Sequence, residues 1–216
     1  NGGSVSYNLV YNALGWNTEV RVGAQSLVTN SYQARTGRLN GVTYGNGQAI
    51  SYAYDEFDNL KAVSQGSTEL YSYEYDNNGN IGYHKDSVQG AEYWYEYDSL
   101  NRLGKITKKQ GAETSAARYA FNSANMMTGF KETVNGTAYE TAYAYDDDGR
   151  PAASTFGSYS KAVAYNSVLG RVSGYSLKNG ANTFYATSLA YCDGDGSTSA
   201  DSGRIASVTN GNETLS

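Results

Sequence analysis

The sequence has little of the residue types on which disulfide-bonded, nucleic-acid-binding and membrane-spanning proteins depend. Its 216 residues include one cysteine, Cys192, so an internal disulfide framework is excluded. The formal net charge is −5 and 17% of the residues are charged, so the chain has no excess of positive charge with which to bind nucleic acid or an anionic membrane surface. No apolar run approaches the roughly 20 residues of a membrane-spanning helix. We therefore expect neither a nucleic-acid partner nor a membrane span.

Candidates for catalysis are equally scarce. His84 is the only histidine, and it is far along the chain from the only thiol, Cys192. A Cys-His nucleophile pair needs both groups together and a third group that orients the base. His84 stands three residues after Ile81, as Val63 stands three residues after Leu60. We interpret His84 as a structural residue and predict no enzyme activity and no cofactor.

One acidic segment is a weak candidate for a metal site. The stretch DGDGSTSAD at 193–201 brings Asp193, Asp195 and Asp201 into one loop, and carboxylate oxygens are the ligands that Ca²⁺ prefers. It departs from the EF-hand loop, because Ser197 stands at the third ligand position and Thr198 where the glycine should be. A lengthened turn explains the segment equally well. We therefore predict no metal site and keep these three carboxylates as the weak alternative.

Tyrosine and glycine are abundant in contrast. The chain has 22 Tyr and 25 Gly, and Asn-Gly pairs begin at residues 1, 40, 46, 78, 135, 179 and 210. Tyrosine favours half-buried pleated surfaces, and Asn-Gly pairs favour tight hairpin turns. The composition predicts an all-β protein with many turns.

The tyrosines recur with a period. Taking the last aromatic residue before each turn as a marker gives an average spacing of about 22 residues and about nine repeats over residues 1–216. We interpret the chain as a single repeat array and as a fragment of a longer protein. The markers are Tyr11, Tyr32, Tyr54, Tyr75, Tyr97, Phe121, Tyr145, Tyr165 and Tyr191.

Most markers are followed by Asp or Asn and then by a short polar turn. An Asp or Asn side chain can accept hydrogen bonds from backbone N–H groups two residues on, and Gly tolerates the left-handed conformation later in the turn. The Ala-rich segment 113–127 is helical on propensity alone, but its aromatic residues keep the repeat phase, and we assign it to strands. The predicted structural motif comprises Tyr11, Tyr32, Tyr54, Asp55, Tyr75, Asp76, Gly79, Tyr97, Asp98, Arg102, Tyr145, Asp146, Gly149, Arg150, Tyr165, Gly170, Arg171 and Tyr191.

The residues on either side of each turn follow different patterns. Before the turn, Tyr71, Tyr73 and Tyr75 alternate and therefore share one face of a strand. After the turn, apolar or large residues stand three apart, as Leu60 and Val63 do. Either both faces of the sheet are partly buried there, or a bulge or a late turn shifts the register.

The recurring Y-x-Y-D-x-x-G-R-L pattern resembles the YD repeat of the rearrangement-hotspot (Rhs) family. This family includes bacterial polymorphic toxins, Tc toxin shell components, wall-associated proteins and teneurins. The resemblance covers essentially the whole chain and implies a continuous, twisted antiparallel sheet that spirals into a hollow shell around a toxic C-terminal domain. The self-cleaving Asp-Pro segment of such shells is absent, because the one proline, Pro151, follows Arg150.

Two functions from different classes follow. The first is a non-catalytic segment of a secreted or cell-surface bacterial shell, whose partners are other repeats and the C-terminal domain of the full-length protein. The alternative is an extracellular adhesin-like array that binds cell-surface glycans through exposed tyrosines. Residues 1–30 lack the features of a signal peptide, so we expect any export signal outside this chain.

Overall fold

A computed structural model describes residues 4–167, 170–192, 204–211 and 213–215. These residues form nineteen β-strands and no helix. Accordingly, none of them belongs to a helix that could cross a membrane. The strands are β1 Tyr7–Tyr11, β2 Asn17–Val22, β3 Gln25–Tyr32, β4 Leu39–Tyr44, β5 Ala49–Tyr54, β6 Leu60–Gln65, β7 Thr68–Tyr75, β8 Ile81–Asp86, β9 Ala91–Tyr97, β10 Leu103–Gln110, β11 Glu113–Phe121, β12 Met127–Val134, β13 Thr137–Tyr145, β14 Pro151–Phe156, β15 Tyr159–Tyr165, β16 Val172–Asn179, β17 Asn182–Cys192, β18 Arg204–Asn210 and β19 Glu213–Leu215.

The strands end where the tyrosine period places them. Eight of the nine markers are the last residue of an odd-numbered strand, and the ninth, Tyr191, is the penultimate residue of β17. The Ala-rich segment forms β11 and a turn. The strand predicted from the repeat phase is therefore confirmed, and the helix that residue propensity favoured is not formed.

The chain divides into two compact units, residues 1–114 and 115–216. In the first unit, β1 to β10 pair antiparallel, each with the next in the chain. In the second unit, β11 to β19 do the same. The predicted all-β array of antiparallel hairpins is confirmed, whereas a single array over residues 1–216 stays a prediction.

The sheet of each unit has two different faces. Within the described residues, each strand contacts its neighbours in the chain, and none of these residues forms a second layer over the sheet. In β5, Ile50, Tyr52 and Tyr54 are half-buried while the residues between them are exposed. We call the side that carries the marker aromatics the tyrosine face. Among the described residues, the buried hydrophobic side chains are Val42 and Ala91, so neighbouring side chains on one face supply most of the packing.

Every hairpin that follows a marker has a bulge at the same place. In β5–β6, Tyr54 pairs with Leu60 and Tyr52 with Val63, and Lys61 is the extra residue. The extra residue returns Val63 to the tyrosine face, where Leu60 also lies. The same register shift occurs in all nine hairpins of this kind. Of the two explanations for the spacing of three, the bulge is therefore the correct one.

Two kinds of turn alternate along the chain. A short turn follows each even-numbered strand and contains Gly with positive φ, such as Gly66 at 59°. A longer turn follows each odd-numbered strand that ends in a marker. Because neighbouring strands are antiparallel, the longer turns of a unit all lie at one end of its strands and the short turns at the opposite end.

Candidate functional site

The longer turn is organised by the carboxylate that follows the marker. Asp76 accepts hydrogen bonds at Oδ1 from the backbone N–H of Asn78 (2.8 Å) and Asn80 (2.9 Å), and at Oδ2 from the Asn80 side chain (3.0 Å). The backbone closes the turn, because Asp76 N–H donates to the Asn80 carbonyl and Gly79 N–H donates to the Asp76 carbonyl. Gly79 has a φ of 81°, a conformation in which a side chain is strained. Hydrogen bonds between residues 76 and 80 thus close the turn.

The same geometry recurs in other repeats. The side-chain oxygen accepts from the backbone N–H groups two and four residues on at Asn12, Asp55, Asp98, Asn122 and Asp146. The left-handed position is occupied by Gly149 in one turn and by Gly170 in a turn one residue longer. Asp58, Asn101 and Asn125 adopt the same positive φ where glycine is missing, as short polar side chains can.

These hydrogen bonds stabilise the ionised carboxylates. The side-chain and backbone hydrogen bonds from Asn80 hold the pKa of Asp76 below its ordinary value, against the opposing effect of burial. At Asp98, the Arg102 guanidinium does the same through its side-chain hydrogen bond and ion pair, with Nη2 of Arg102 2.7 Å from the carboxylate. Arg150 forms the equivalent pair with Asp146 at 2.7 Å.

The marker tyrosines connect each repeat to the one before it. The Tyr75 hydroxyl donates to the Leu60 carbonyl at 2.8 Å. Pairing of β6 with β7 begins at Ala62 and Ser72, so the Leu60 carbonyl lies beyond the backbone hydrogen bonds between these two strands. The Tyr75 hydroxyl donates to this carbonyl in place of a backbone N–H of β7. The same bond, always to the first residue of the preceding even-numbered strand, occurs at Tyr32, Tyr54, Tyr75, Tyr97, Tyr145, Tyr165 and Tyr191, with distances of 2.7 to 3.1 Å.

Two markers do not make this hydroxyl bond. Tyr11 ends the first strand and is 55% exposed. Phe121 has no hydroxyl group. The marker position thus tolerates loss of the hydroxyl but keeps the aromatic ring.

The residue just before an even-numbered strand covers the ring of the next marker. The Arg150 guanidinium lies 4.5 Å from the centre of the Tyr165 ring, which is a cation–π geometry. Arg38 and Arg171 lie over Tyr54 and Tyr191 at 5.3 and 5.6 Å. In the first repeat Trp16 packs against Tyr32 instead, with the ring centres 5.3 Å apart. Arg150 therefore has two partners, the Asp146 carboxylate of its own turn and the ring of Tyr165.

His84 is part of an aromatic stack. Its ring lies 4.7 Å from Tyr73 and 5.3 Å from Tyr93, nearly parallel to both, on the tyrosine face of β7 to β9. Its Nε2 atom is buried and has no hydrogen-bond partner among the described residues. Among the described residues, no hydrogen bond orients the His84 ring as a base would need. Cys192 ends β17 in the second unit, and its side chain lies outside the described part of the structure.

The metal alternative concerns carboxylates that the described residues do not include. Within the described residues, no three His, Cys, Asp or Glu side chains are close enough to hold an ion. Asp193, Asp195 and Asp201 lie outside the described residues. A second acidic run, Asp146 to Asp148, lies in the turn after Tyr145, and its Asp146 and Asp148 are both paired with Arg150.

Sequence reasoning missed the carbonyls that the tyrosines bind and the residues that cover the rings. The carbonyl acceptors belong to residues as different as Asn17 and Leu60, so the residue type carries no signal. The covering residues share only their position before the first residue of an even-numbered strand, and Arg at that position was the usable signal.

The nine bulged hairpins, in seven of which the marker tyrosine bonds to the preceding repeat, define a protein built from structural β-repeats. The sequence profile of the Teneurin YD-shell family matches residues 2–191. The chain belongs to this family, and the predicted relation to YD repeats is confirmed.

Solved structures agree with the fold. A chain from the crystal structure of TcdB2-TccC3-Cdc42 matches with a TM-score of 0.57 and 15% identity, covering 94% of this chain and 13% of that chain. A chain from TcdB2-TccC3 without the hypervariable C-terminal region matches with a TM-score of 0.56 and 16% identity, over 80% of this chain and 10% of that chain. The present chain thus spans a small part of the structures it matches. No curated protein sequence matches it.

Proposed function

We propose that the chain is a non-catalytic wall segment of a longer, secreted or cell-surface bacterial protein, whose shell encloses or presents a C-terminal toxin or effector domain. The observation that carries this proposal is the set of seven tyrosine hydroxyls bonded to backbone carbonyls of the preceding repeat. These bonds join neighbouring repeats within each unit, and they occupy the polar group that a glycan-binding tyrosine would offer.

The single-layer construction supports the same function. No second layer covers the sheet among the described residues of either unit, and a single layer suits a wall between two environments better than a catalytic domain with one enclosed site. The matched TcdB2-TccC3 structure is described as lacking a hypervariable C-terminal region, which shows that the related protein carries such a region. We propose a comparable arrangement for the longer protein that contains this chain.

Limited proteolysis of that longer protein tests the proposal. In the wild-type protein, the C-terminal region should resist the protease. In a variant with Tyr54, Tyr75 and Tyr97 all replaced by Ala, the same amount of protease should digest that region rapidly. A variant with Tyr52→Phe is the matched control, because no hydrogen bond of the Tyr52 hydroxyl is present among the described residues. Equal digestion of the C-terminal region in wild-type and triple-variant proteins would contradict enclosure.

A further inference from the structure

The Asn-Gly pairs differ in how firmly the fold holds them. Six of the seven lie in the described residues, beginning at 40, 46, 78, 135, 179 and 210. An Asn-Gly pair can deamidate when the backbone nitrogen of Gly reaches the side-chain carbonyl carbon of Asn, so a hydrogen bond from that N–H opposes the reaction.

Five of these six glycine N–H groups are restrained. Gly41 lies inside β4, which is paired on both sides. The other four donate to backbone carbonyls at 2.8 to 3.3 Å, and they are Gly47, Gly79, Gly180 and Gly211. Side chains add to the restraint, because Asn46 bonds to Gln48 and Asn78 bonds to Asn101.

The pair Asn135-Gly136 is different. It forms the exposed tip of the hairpin between β12 and β13. In the described part of the chain, neither the Asn135 side chain nor the Gly136 N–H has a hydrogen bond. A Cβ atom placed on Gly136 would meet nothing within 4 Å, so the tip has open space on that side.

We propose that Asn135 is the preferred deamidation site among the six Asn-Gly pairs of the described residues in the folded chain. The Gly136 nitrogen attacks Cγ of Asn135, a new N–C bond forms, the Cγ–Nδ2 bond breaks, and ammonia leaves with the amide proton. Water then opens the resulting succinimide ring at one of its two carbonyls and gives aspartate or isoaspartate. The balance is one water consumed and one ammonia released.

The product has a structural consequence for the second unit. Val134 and Thr137 form the last pair of β12 and β13, directly beneath the tip. Isoaspartate adds a carbon to the backbone between them and also a negative charge, so the end of this hairpin loosens. Contacts in repeat arrays are mostly between neighbours, and the effect stays local.

Peptide mapping by mass spectrometry of the folded chain, incubated at neutral pH, tests this. The peptide containing Asn135 should gain about 1 Da at a rate at least about tenfold above those of the Asn46 and Asn78 peptides. An Asn135→Gln variant should lose that signal, and urea-unfolded chain should show similar rates at all three pairs. Equal or faster modification of Asn46 or Asn78 in the folded chain would overturn the proposal.

Discussion

Removing one marker hydroxyl isolates the bond between repeats. Tyr75→Phe keeps the ring and its packing but deletes the donor that lies 2.8 Å from the Leu60 carbonyl. That carbonyl has no partner from the β6–β7 ladder, so the variant leaves it dependent on water. Because the site is partly buried, we expect a loss of about 1 kcal/mol in the free energy of unfolding.

Urea denaturation of wild-type and variant chains measures the global effect, and hydrogen exchange locates it. Protection should fall around residues 60–62 and 72–75, with little change beyond the adjacent repeats. Tyr52→Phe is the matched control, since it removes a hydroxyl group from the same face without breaking a hydrogen bond among the described residues. If Tyr75→Phe and Tyr52→Phe have equal effects, the hydroxyl bond does not stabilise the array.

Three further predictions use the same repeat geometry. Asn59→Arg should stabilise the first unit by about 0.5 kcal/mol, because Arg at this position stacks on the next marker, Tyr75; an unchanged or lowered melting temperature would contradict this. Because the pKa of Asp76 is lowered in the folded chain, its ionised carboxylate stabilises the turn at pH values above the ordinary pKa near 4. Hydrogen-exchange protection of residues 76–80 should therefore be lost as the pH falls below about 4, and protection that persists at lower pH would contradict this prediction. His84→Ala and Cys192→Ala should abolish no hydrolytic activity, and any turnover lost in either variant would show that the chain is catalytic.

The tyrosine period was enough to predict most of the fold. It located strand ends at residues such as Tyr54 and Tyr75 because each hairpin must turn after a fixed number of residues. It also corrected the helical propensity of segment 113–127, because pairing with neighbouring strands outweighs local preference there.

The bulge could not be predicted, because a spacing of three between Leu60 and Val63 fits two different structures equally well. The bonds from the tyrosine hydroxyls to backbone carbonyls form where two neighbouring strands diverge. The bulged backbone determines that place, and no residue type indicates it. Ring coverage was hidden for a similar reason, since Arg150 and Tyr165 belong to consecutive repeats and meet only after both turns have formed.

The central claim is that the marker tyrosines join repeats and do not bind a ligand. Hydrogen exchange on Tyr75→Ala, together with a glycan-binding assay on the same protein, tests it most directly. The half-buried ring should contribute about 2 kcal/mol, less than a fully buried aromatic residue. We expect protection to be lost within about residues 50–105 and glycan binding to be the same in wild-type and variant chains. Unchanged protection together with lost glycan binding would contradict the claim and support the adhesin function.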